Sequence, residues 1–283
     1  MIMGIDHPVI AVDNMDAAHA AYRRLGFTIA PRGAHLEWGT GNWCMMFPDD
    51  YLELRGIVNP EKYTHSLEKV LAEQGEGLMG VALGTNDAEA VYKHLAERGL
   101  NPQPVRTLTR NFELPEGNVQ LSFALCFLDP PETGGMMSVV FCQHLTPHLL
   151  RKPAWLQHDN AVVGVHSLTC AVPDLDAAAA AHESIFRAEA VDRTADGLSV
   201  DVGGRGKVIV MTEGAARQRF PLLKDPKTSG TGRIVATSFR VADLDRCRRH
   251  LKSEGVEFLV SEENSLCVDP GEACGALLEF VAA

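Results

Sequence analysis

One short pattern, the end of a strand followed by the start of a helix, occurs four times along the 283-residue chain. This repetition limits the possible folds more than any other feature of the sequence. Each copy follows an apolar run that suits a buried strand, and each contains an Asp or Asn that can cap the first turn of a helix. The copies are Val-Asp-Asn-Met-Asp at 12–16, Thr-Asn-Asp-Ala-Glu at 85–89, Val-Pro-Asp-Leu-Asp at 172–176 and Val-Ala-Asp-Leu-Asp at 241–245.

Three of the four predicted helices also end at the same distance from their start. Gly26, Gly99 and Gly255 lie 14 residues after positions 12, 85 and 241. Glycine is the residue that most readily takes the left-handed conformation after a helix. After the first helix, turn clusters at 38–42 and 48–50 separate three short apolar runs that are typical of strands. We therefore predict a β-α-β-β-β module that is repeated four times.

Charge and cysteine content exclude several classes of protein. The chain has 26 Lys and Arg against 37 Asp and Glu, a net charge of −11, which disfavours binding to nucleic acid or to an anionic membrane. No apolar stretch approaches the roughly 20 residues that span a bilayer. The seven cysteines include no Cys-x-x-Cys pair and lie mostly in apolar runs, which indicates buried thiols in a reducing compartment. We predict a soluble, cytoplasmic protein.

The run Tyr-Leu-Glu-Leu-Arg at 51–55 is the clearest candidate for a strand with chemistry on one face. Alternation along a strand places Leu52 and Leu54 on one face and Tyr51, Glu53 and Arg55 on the other. A charged residue between two leucines usually faces solvent. It becomes a candidate for binding only if that face is the concave side of a curled sheet.

Several motifs together carry a resemblance to a known family. They are Ile-Asp-His-Pro-Val at 5–9, Leu-Gly-Phe at 25–27, His35, Trp-Gly-Thr-Gly-Asn at 38–42, Tyr-Leu-Glu-Leu at 51–54 and His-Leu-Thr-Pro at 144–147. With the four modules, they resemble the vicinal oxygen chelate superfamily and, within it, the glyoxalase-like domain proteins. The resemblance implies an α+β fold in which four βαβββ modules pair into two curled eight-stranded half-barrel domains with helices on the outside.

The predicted domains follow from this pairing of modules. Residues 1–147 would form the N-terminal domain and residues 162–283 the C-terminal domain. The proline-punctuated segment 148–161 would link them, and Trp155 within it is expected to pack against another part of the protein. The polar, turn-rich residues 214–232 are predicted to form a mobile loop.

The resemblance implies a divalent metal on the concave face, held by ligands from the first and fourth strands of each module. His7 and Glu53 match these positions, and imidazole with carboxylate suits Zn, Mn, Fe, Ni or Co. The second module departs from the pattern because Gly80 stands where its histidine would be. His144 is then the best candidate for a third ligand and His35 the next, and Glu53 and His144 are the candidate catalytic residues. The expected substrate pocket includes His35, Trp38, Asn42, Arg110 and Phe112.

The C-terminal half matches the ligand pattern less well. His166 is one residue out of register with His7, Ala236 occupies the corresponding position in the fourth module, and only Glu279 keeps its place. A metal held by His166 and Glu279 would require a β-bulge. We expect this half to be structural, or to form a lid, a pairing interface or a substrate wall.

Three functions remain open from the sequence. The first is a metal-dependent lyase or isomerase that acts through an enolate on a small molecule with vicinal oxygens. The alternative is a binding or resistance protein that uses the same pocket without metal, with His7 and Glu53 as polar lining. An extradiol-type dioxygenase is the third, disfavoured because the better ligand pair lies in the N-terminal half. A homodimer is a further expectation.

Overall fold

The computed structural model describes residues 1–114, 116–223 and 230–283. Within these residues the four predicted modules are present in order, and each contributes one long first strand, one helix and three further strands. The first module consists of β1 (Ile2–Ala11), α1 (Met15–Arg24), β2 (Gly33–His35), β3 (Thr40–Met46) and β4 (Tyr51–Ile57). After α2 (Leu67–Gln74), the second consists of β5 (Gly77–Thr85), α3 (Ala88–Glu97), β6 (Arg106–Leu114), β7 (Gly117–Leu128) and β8 (Ser138–His144).

The C-terminal modules repeat this order with shorter outer strands. The third consists of β9 (Val162–Val172), α4 (Leu175–Ile185), β10 (Val191–Thr194), β11 (Gly197–Asp201) and β12 (Lys207–Thr212), followed by α5 (Glu213–Arg219). The fourth consists of β13 (Arg233–Val241), α6 (Leu244–Ser253), β14 (Phe258–Val260), β15 (Leu266–Val268) and β16 (Leu277–Ala282). No helix among the described residues is long and apolar enough to cross a membrane.

The predicted caps explain where the repeated helices begin. The Asn14 side chain accepts hydrogen bonds from two backbone N–H groups in the first turn of α1. Asp87, Asp174 and Asp243 cap α3, α4 and α6 in the same way. Each cap satisfies donors that have no partner inside the helix. The fourfold repeat in the sequence is therefore a repeat of one strand, one cap and one helix.

The N-terminal sheet closes into a barrel with the order β1-β4-β3-β2-β6-β7-β8-β5. The predicted curled eight-stranded sheet is present, and it closes fully because the short strand β2 pairs with β6 across the gap between the two modules. In that pairing Gly33 opposes Phe112 and His35 opposes Arg110. Closure leaves no unpaired edge in this sheet.

The C-terminal sheet stays open, with the order β10-β11-β12-β9-β13-β16-β15-β14. Its outermost strands, β10 and β14, are four and three residues long. Part of the predicted mobile loop is instead the helix α5, which packs with Phe220 on the concave face. Residues 224–229 of that predicted loop lie outside the described residues. The open sheet is thus partly covered by its own connecting segment.

The segment between the sheets packs on the protein, as Trp155 suggested. The indole ring of Trp155 lies 5.3 Å from the ring of Phe112, at the end of the barrel. His158 receives a hydrogen bond from the backbone N–H of Thr28 through Nδ1 and contacts the Met46 carbonyl through Nε2. The division into domains at 147 and 162 stays a prediction.

One apolar core extends across both sheets. Phe27, which follows α1, lies within 6.3 Å of the rings of Phe47, Phe239 and Phe280, and the last two belong to β13 and β16. All four rings are nearly or fully buried. Because aromatic side chains bury large areas, this cluster ties the two sheets together.

We expect Phe27→Ala to lower the free energy of unfolding by about 3–5 kcal/mol, since it leaves a cavity between the two sheets. Urea denaturation followed by circular dichroism would measure the loss as a single transition. Leu259→Ala, on the exposed edge strand β14, serves as the control and should cost less than about 1 kcal/mol. Two well-separated transitions in the wild-type protein would contradict a shared core.

Candidate functional site

A bulge in the first strand turns two neighbouring polar side chains into the barrel. Along β1, Ile5 opposes Leu83 of β5 and His7 opposes Ala82, so Asp6 is one extra residue. A bulge of this kind lets adjacent side chains escape the strict alternation of a strand. Asp6 and His7 are both buried and hydrogen-bonded to each other. The sequence showed only His7 as a candidate. The signal for Asp6 was a second polar residue within an otherwise apolar run.

His7 and Glu53 meet inside the barrel, as their predicted positions required. His7 Nε2 lies 3.0 Å from Glu53 Oε2, and His7 Nδ1 lies 2.7 Å from Asp6 Oδ2. The imidazole also stacks on the ring of Tyr51, with 4.1 Å between centroids. His7 is therefore fixed on both nitrogens and on one face.

Glu53 is held by two further side chains. The Arg55 guanidinium donates to both carboxylate oxygens at 3.1 Å, and Asn42 Nδ2 donates to Oε1 at 2.9 Å. Tyr51, Glu53 and Arg55 share the inner face of β4, while Leu52 and Leu54 join the outer core, as the alternation predicted. Charge and hydrogen bonding thus fix the carboxylate in one orientation.

The charges of this cluster stabilise one another. Burial alone would raise the pKa of Glu53, but the Arg55 charge and the His7 hydrogen bond outweigh it and hold that pKa well below its usual value. Burial would lower the pKa of His7, yet the hydrogen bonds that its ring donates to Asp6 and Glu53 raise that pKa above its ordinary value. For Asp6, His144 and His7 overcome the effect of burial and lower the pKa. Both carboxyl groups are therefore ionised at neutral pH.

His144 lies beside Asp6 and does not contact Glu53. Its Nε2 is 3.0 Å from each oxygen of Asp6. Asp6, Cys142 and His144 bring one potential ligand atom each to within 4.8 Å of the other two. His144 is thus linked to His7 through Asp6, and the Tyr51 ring lies against both imidazoles. The role of His144 as a third ligand beside Glu53 stays a prediction.

Four of the five predicted pocket residues line the barrel cavity. They are His35, Trp38, Asn42 and Arg110, and the free volume that they enclose with their neighbours is about 40 Å³. Phe112 does not line it; its ring lies beneath the guanidinium of Arg110 and against Trp155. Trp38 stacks on His65 with 4.9 Å between centroids, which covers the cavity on that side. The cavity is therefore small.

The concave face of the second sheet contains a related but different arrangement. Ser238 of β13 opposes Ser167 of β9 and Phe239 opposes Val165, so His166 occupies a bulge like that of Asp6. The bulge that a site at His166 required is present. Glu279, however, accepts hydrogen bonds from Ser238 and Ser265 and lies 3.5 Å from Arg219 Nη2.

These partners occupy the carboxylate of Glu279, and no cluster of three potential metal ligands is found on this face among the described residues. Cys44 and Cys126 are not suited to act as nucleophiles. Burial raises the pKa of both thiols to about 12, so both are neutral. The N-terminal barrel is the candidate site.

Two sheets built from four β-α-β-β-β modules define the vicinal oxygen chelate superfamily. The glyoxalase-like domain model matches residues 5–186, which is more than half of the chain, and the protein belongs to this family. No curated protein matches the sequence.

Solved structures show the same fold at low sequence identity. A hypothetical protein from Staphylococcus aureus has 13% identity and a TM-score of 0.71, with 100% of both chains covered. A triple mutant of 4-hydroxymandelate synthase from Streptomyces coelicolor has 11% identity and a TM-score of 0.63, covering 100% of this chain and 93% of the other. A fusion of a xylose isomerase-like TIM barrel with 4-hydroxyphenylpyruvate dioxygenase has 13% identity and a TM-score of 0.57, with all of this chain but 49% of the fusion covered. At these identities the likeness is one of fold.

We expect His35 to make stability depend on pH. Burial, with the charge of Arg55 next in size, lowers the pKa of His35 to about 3, so protonation favours the unfolded chain. The contribution of neutral His35 to the free energy of unfolding is present above pH 6.5 and is lost as the pH falls towards 3. Relative to a His35→Gln variant, the wild-type protein should lose about 3 kcal/mol between pH 6.5 and pH 4.

Urea denaturation at several pH values would measure this difference. His148→Gln, at an exposed histidine, is the control and should give a curve parallel to that of the wild type. Parallel curves for His35→Gln and the wild type would contradict a neutral buried imidazole.

Proposed function

We propose that the protein is a divalent-metal-dependent lyase or isomerase that acts on a small molecule with vicinal oxygens through an enolate. The observation that carries the proposal is the pair His7 and Glu53, buried inside the barrel with Nε2 and Oε2 3.0 Å apart. Two donor atoms at this separation can share one divalent ion after the proton between them is lost. The family membership of the chain is consistent with this chemistry.

The donor set fits a metal because of how His7 is held. Asp6 accepts from His7 Nδ1 at 2.7 Å, which leaves Nε2 directed at Glu53. A carboxylate behind a ligating histidine fixes the tautomer and the ring orientation of that ligand. His7 and Glu53 would hold the ion, which when bound supplies Lewis-acid polarisation of a substrate oxygen.

Arg55 and Asn42 support this role of Glu53. Arg55 keeps the carboxylate ionised, and both side chains fix its orientation through hydrogen bonds to Oε1. Part of the remaining wall is apolar, with Leu108, Phe123 and Leu125 along β6 and β7, and Arg110 lies among these side chains. An apolar wall excludes water and strengthens the electrostatic interactions inside the cavity.

His144 is the proposed proton acceptor. Asp6 contacts its Nε2 through both oxygens at 3.0 Å, which orients the imidazole for proton transfer. The Asp6 carboxylate also contacts His7, so the proposed base and the proposed ligand share one anchor. His144 is partly exposed, with 14% of its side chain accessible, which gives the proton a route to solvent.

A binding protein without metal is the second candidate, and one observation favours it. Arg55 donates to both oxygens of Glu53, so the carboxylate is already neutralised by a cation within the protein. In this alternative the cavity holds a small ligand, and His7 and Glu53 only line it.

Metal content distinguishes the two candidates. Protein purified without chelator should contain about one divalent ion per chain, and His7→Gln and Glu53→Gln should each reduce this to under about a tenth. Elemental analysis would provide the measurement, with His148→Gln as the matched control that keeps the wild-type content. Loaded protein would then be screened with α-ketoaldehydes and diols.

Absence of metal from the wild-type protein after incubation with Zn, Mn, Fe, Ni and Co would contradict the lyase or isomerase and leave the binding protein. Metal that is retained by the Glu53→Gln and His7→Gln variants would show that the ion binds elsewhere in the chain.

A further inference from the structure

Arg110 is one of the largest fully buried side chains of the protein. It lies in β6, opposite His35 of β2, and only 2% of its surface is exposed. Its guanidinium carbon lies 4.7 Å from the centroid of the Phe112 ring and 5.6 Å from that of Phe123. Arginine is charged at every physiological pH. The barrel therefore encloses a full positive charge between aromatic rings.

The hydrogen bonds of this guanidinium are incomplete on one edge. Nη1 donates to Cys44 Sγ at 3.2 Å, while Nε and Nη2 have no partner among the described residues. These two nitrogens form the edge of a guanidinium that binds a carboxylate with two parallel hydrogen bonds. Arg55 uses this same edge on Glu53, so the barrel contains one such edge in use and one that is free.

No ion pair joins Arg110 to a carboxylate among the described residues, although Glu53 is near enough to help stabilise its charge. The Cys44 thiol is neutral, because burial raises its pKa to about 12. The Glu53 carboxylate is committed to Arg55 and His7. A buried charge without a partner is unfavourable, and an apolar side chain would serve a purely structural role better. Arg110 therefore has the properties of a group that binds an anion.

A second unpartnered atom lies close by. Asn42 Oδ1 is buried and has no hydrogen-bond partner among the described residues, while Nδ2 of the same side chain donates to Glu53. Because a carboxylate only accepts, this contact fixes the amide with Oδ1 as the free acceptor. A Cβ atom on Gly33 would lie 2.2 Å from Asn42 Oδ1 and 2.8 Å from Arg110 Cδ. The absence of a side chain at Gly33 therefore lets both groups pack directly against the backbone of β2.

We propose that the barrel binds a short 2-hydroxycarboxylic acid, with its carboxylate on the Nε–Nη2 edge of Arg110 and its hydroxyl donating to Asn42 Oδ1. The free volume of about 40 Å³ limits the ligand to a few heavy atoms. The proposal names a substrate class for the same cavity and rests on the proposed function for its chemistry. Binding itself needs only Arg110 and Asn42.

The test uses glycolate as the probe and chelator-treated protein, so that no metal can hold the ligand. Glycolate should shift the Arg110 Nε–H resonance in a ¹⁵N spectrum of the wild-type protein, and glycolamide, its neutral analogue, should leave it unchanged. Acetate, which lacks the hydroxyl, should bind more weakly than glycolate. This readout on the wild-type protein does not depend on the folding of any variant.

Variants give the second measurement. Arg110→Met should weaken glycolate binding by about tenfold or more, since two charge-assisted hydrogen bonds are lost. It should not lower the thermal stability of the ligand-free protein. Arg106→Met, at an exposed arginine of the same strand, should bind glycolate as the wild type does.

Equal binding of glycolate and glycolamide, or unchanged glycolate binding by Arg110→Met, would overturn the proposal. Acetate that binds as tightly as glycolate would overturn the role of Asn42 and with it the 2-hydroxy class. Wild-type protein that binds metal but not glycolate would refute this inference and leave the proposed function standing. If the wild-type protein binds glycolate but takes up no metal, the proposed function is contradicted and this inference stands.

Discussion

The antiparallel pairing of β1 with β5 is the interaction on which the N-terminal half depends. It joins the first strands of the two modules at the centre of the barrel, and β4 and β8 then pair in parallel on either side. The bulge in this pairing turns both Asp6 and His7 inwards. Without the extra residue, one of the two would face the outer core, where an ionised group has no partner and a high desolvation penalty.

The buried charges depend in turn on the closed barrel. Asp6, His7, Glu53 and Arg55 form one continuous chain of contacts in which each anion touches at least one cationic or hydrogen-bonding partner. In a low-dielectric interior such a network is favourable only when it is completely satisfied. Arg110 departs from this rule because its Nε and Nη2 have no partner among the described residues. This unsatisfied edge is the basis for the proposed ligand site.

The two halves of the chain share one module architecture but differ in how their sheets surround the polar groups. Both first strands have a bulge at corresponding positions, occupied by Asp6 in β1 and by His166 in β9. In the N-terminal half the sheet closes around the polar groups. In the C-terminal half it stays open, Glu279 is satisfied by serine hydroxyls and Arg219, and α5 with Phe220 covers part of the concave face. The shared core around Phe27 connects them.

The sequence by itself determined the modules, because strand runs, caps and helix ends are set by residues close together in the chain. It also determined that Glu53 and Arg55 share a face, since alternation along a strand is a local property. His7 beside Glu53 followed from the family resemblance, and the contact is present.

Only the tertiary structure decided the closure of the barrel, the inward turn of Asp6, the place of His144 beside Asp6 and the free edge of Arg110. Each of these depends on pairings between distant strands: β2 with β6 for closure, β1 with β5 for the bulge, and β7 with β8 for His144. Register across such pairs is set by the packing of the whole sheet. A shift of one residue reverses the face of every side chain, and no local pattern encodes it.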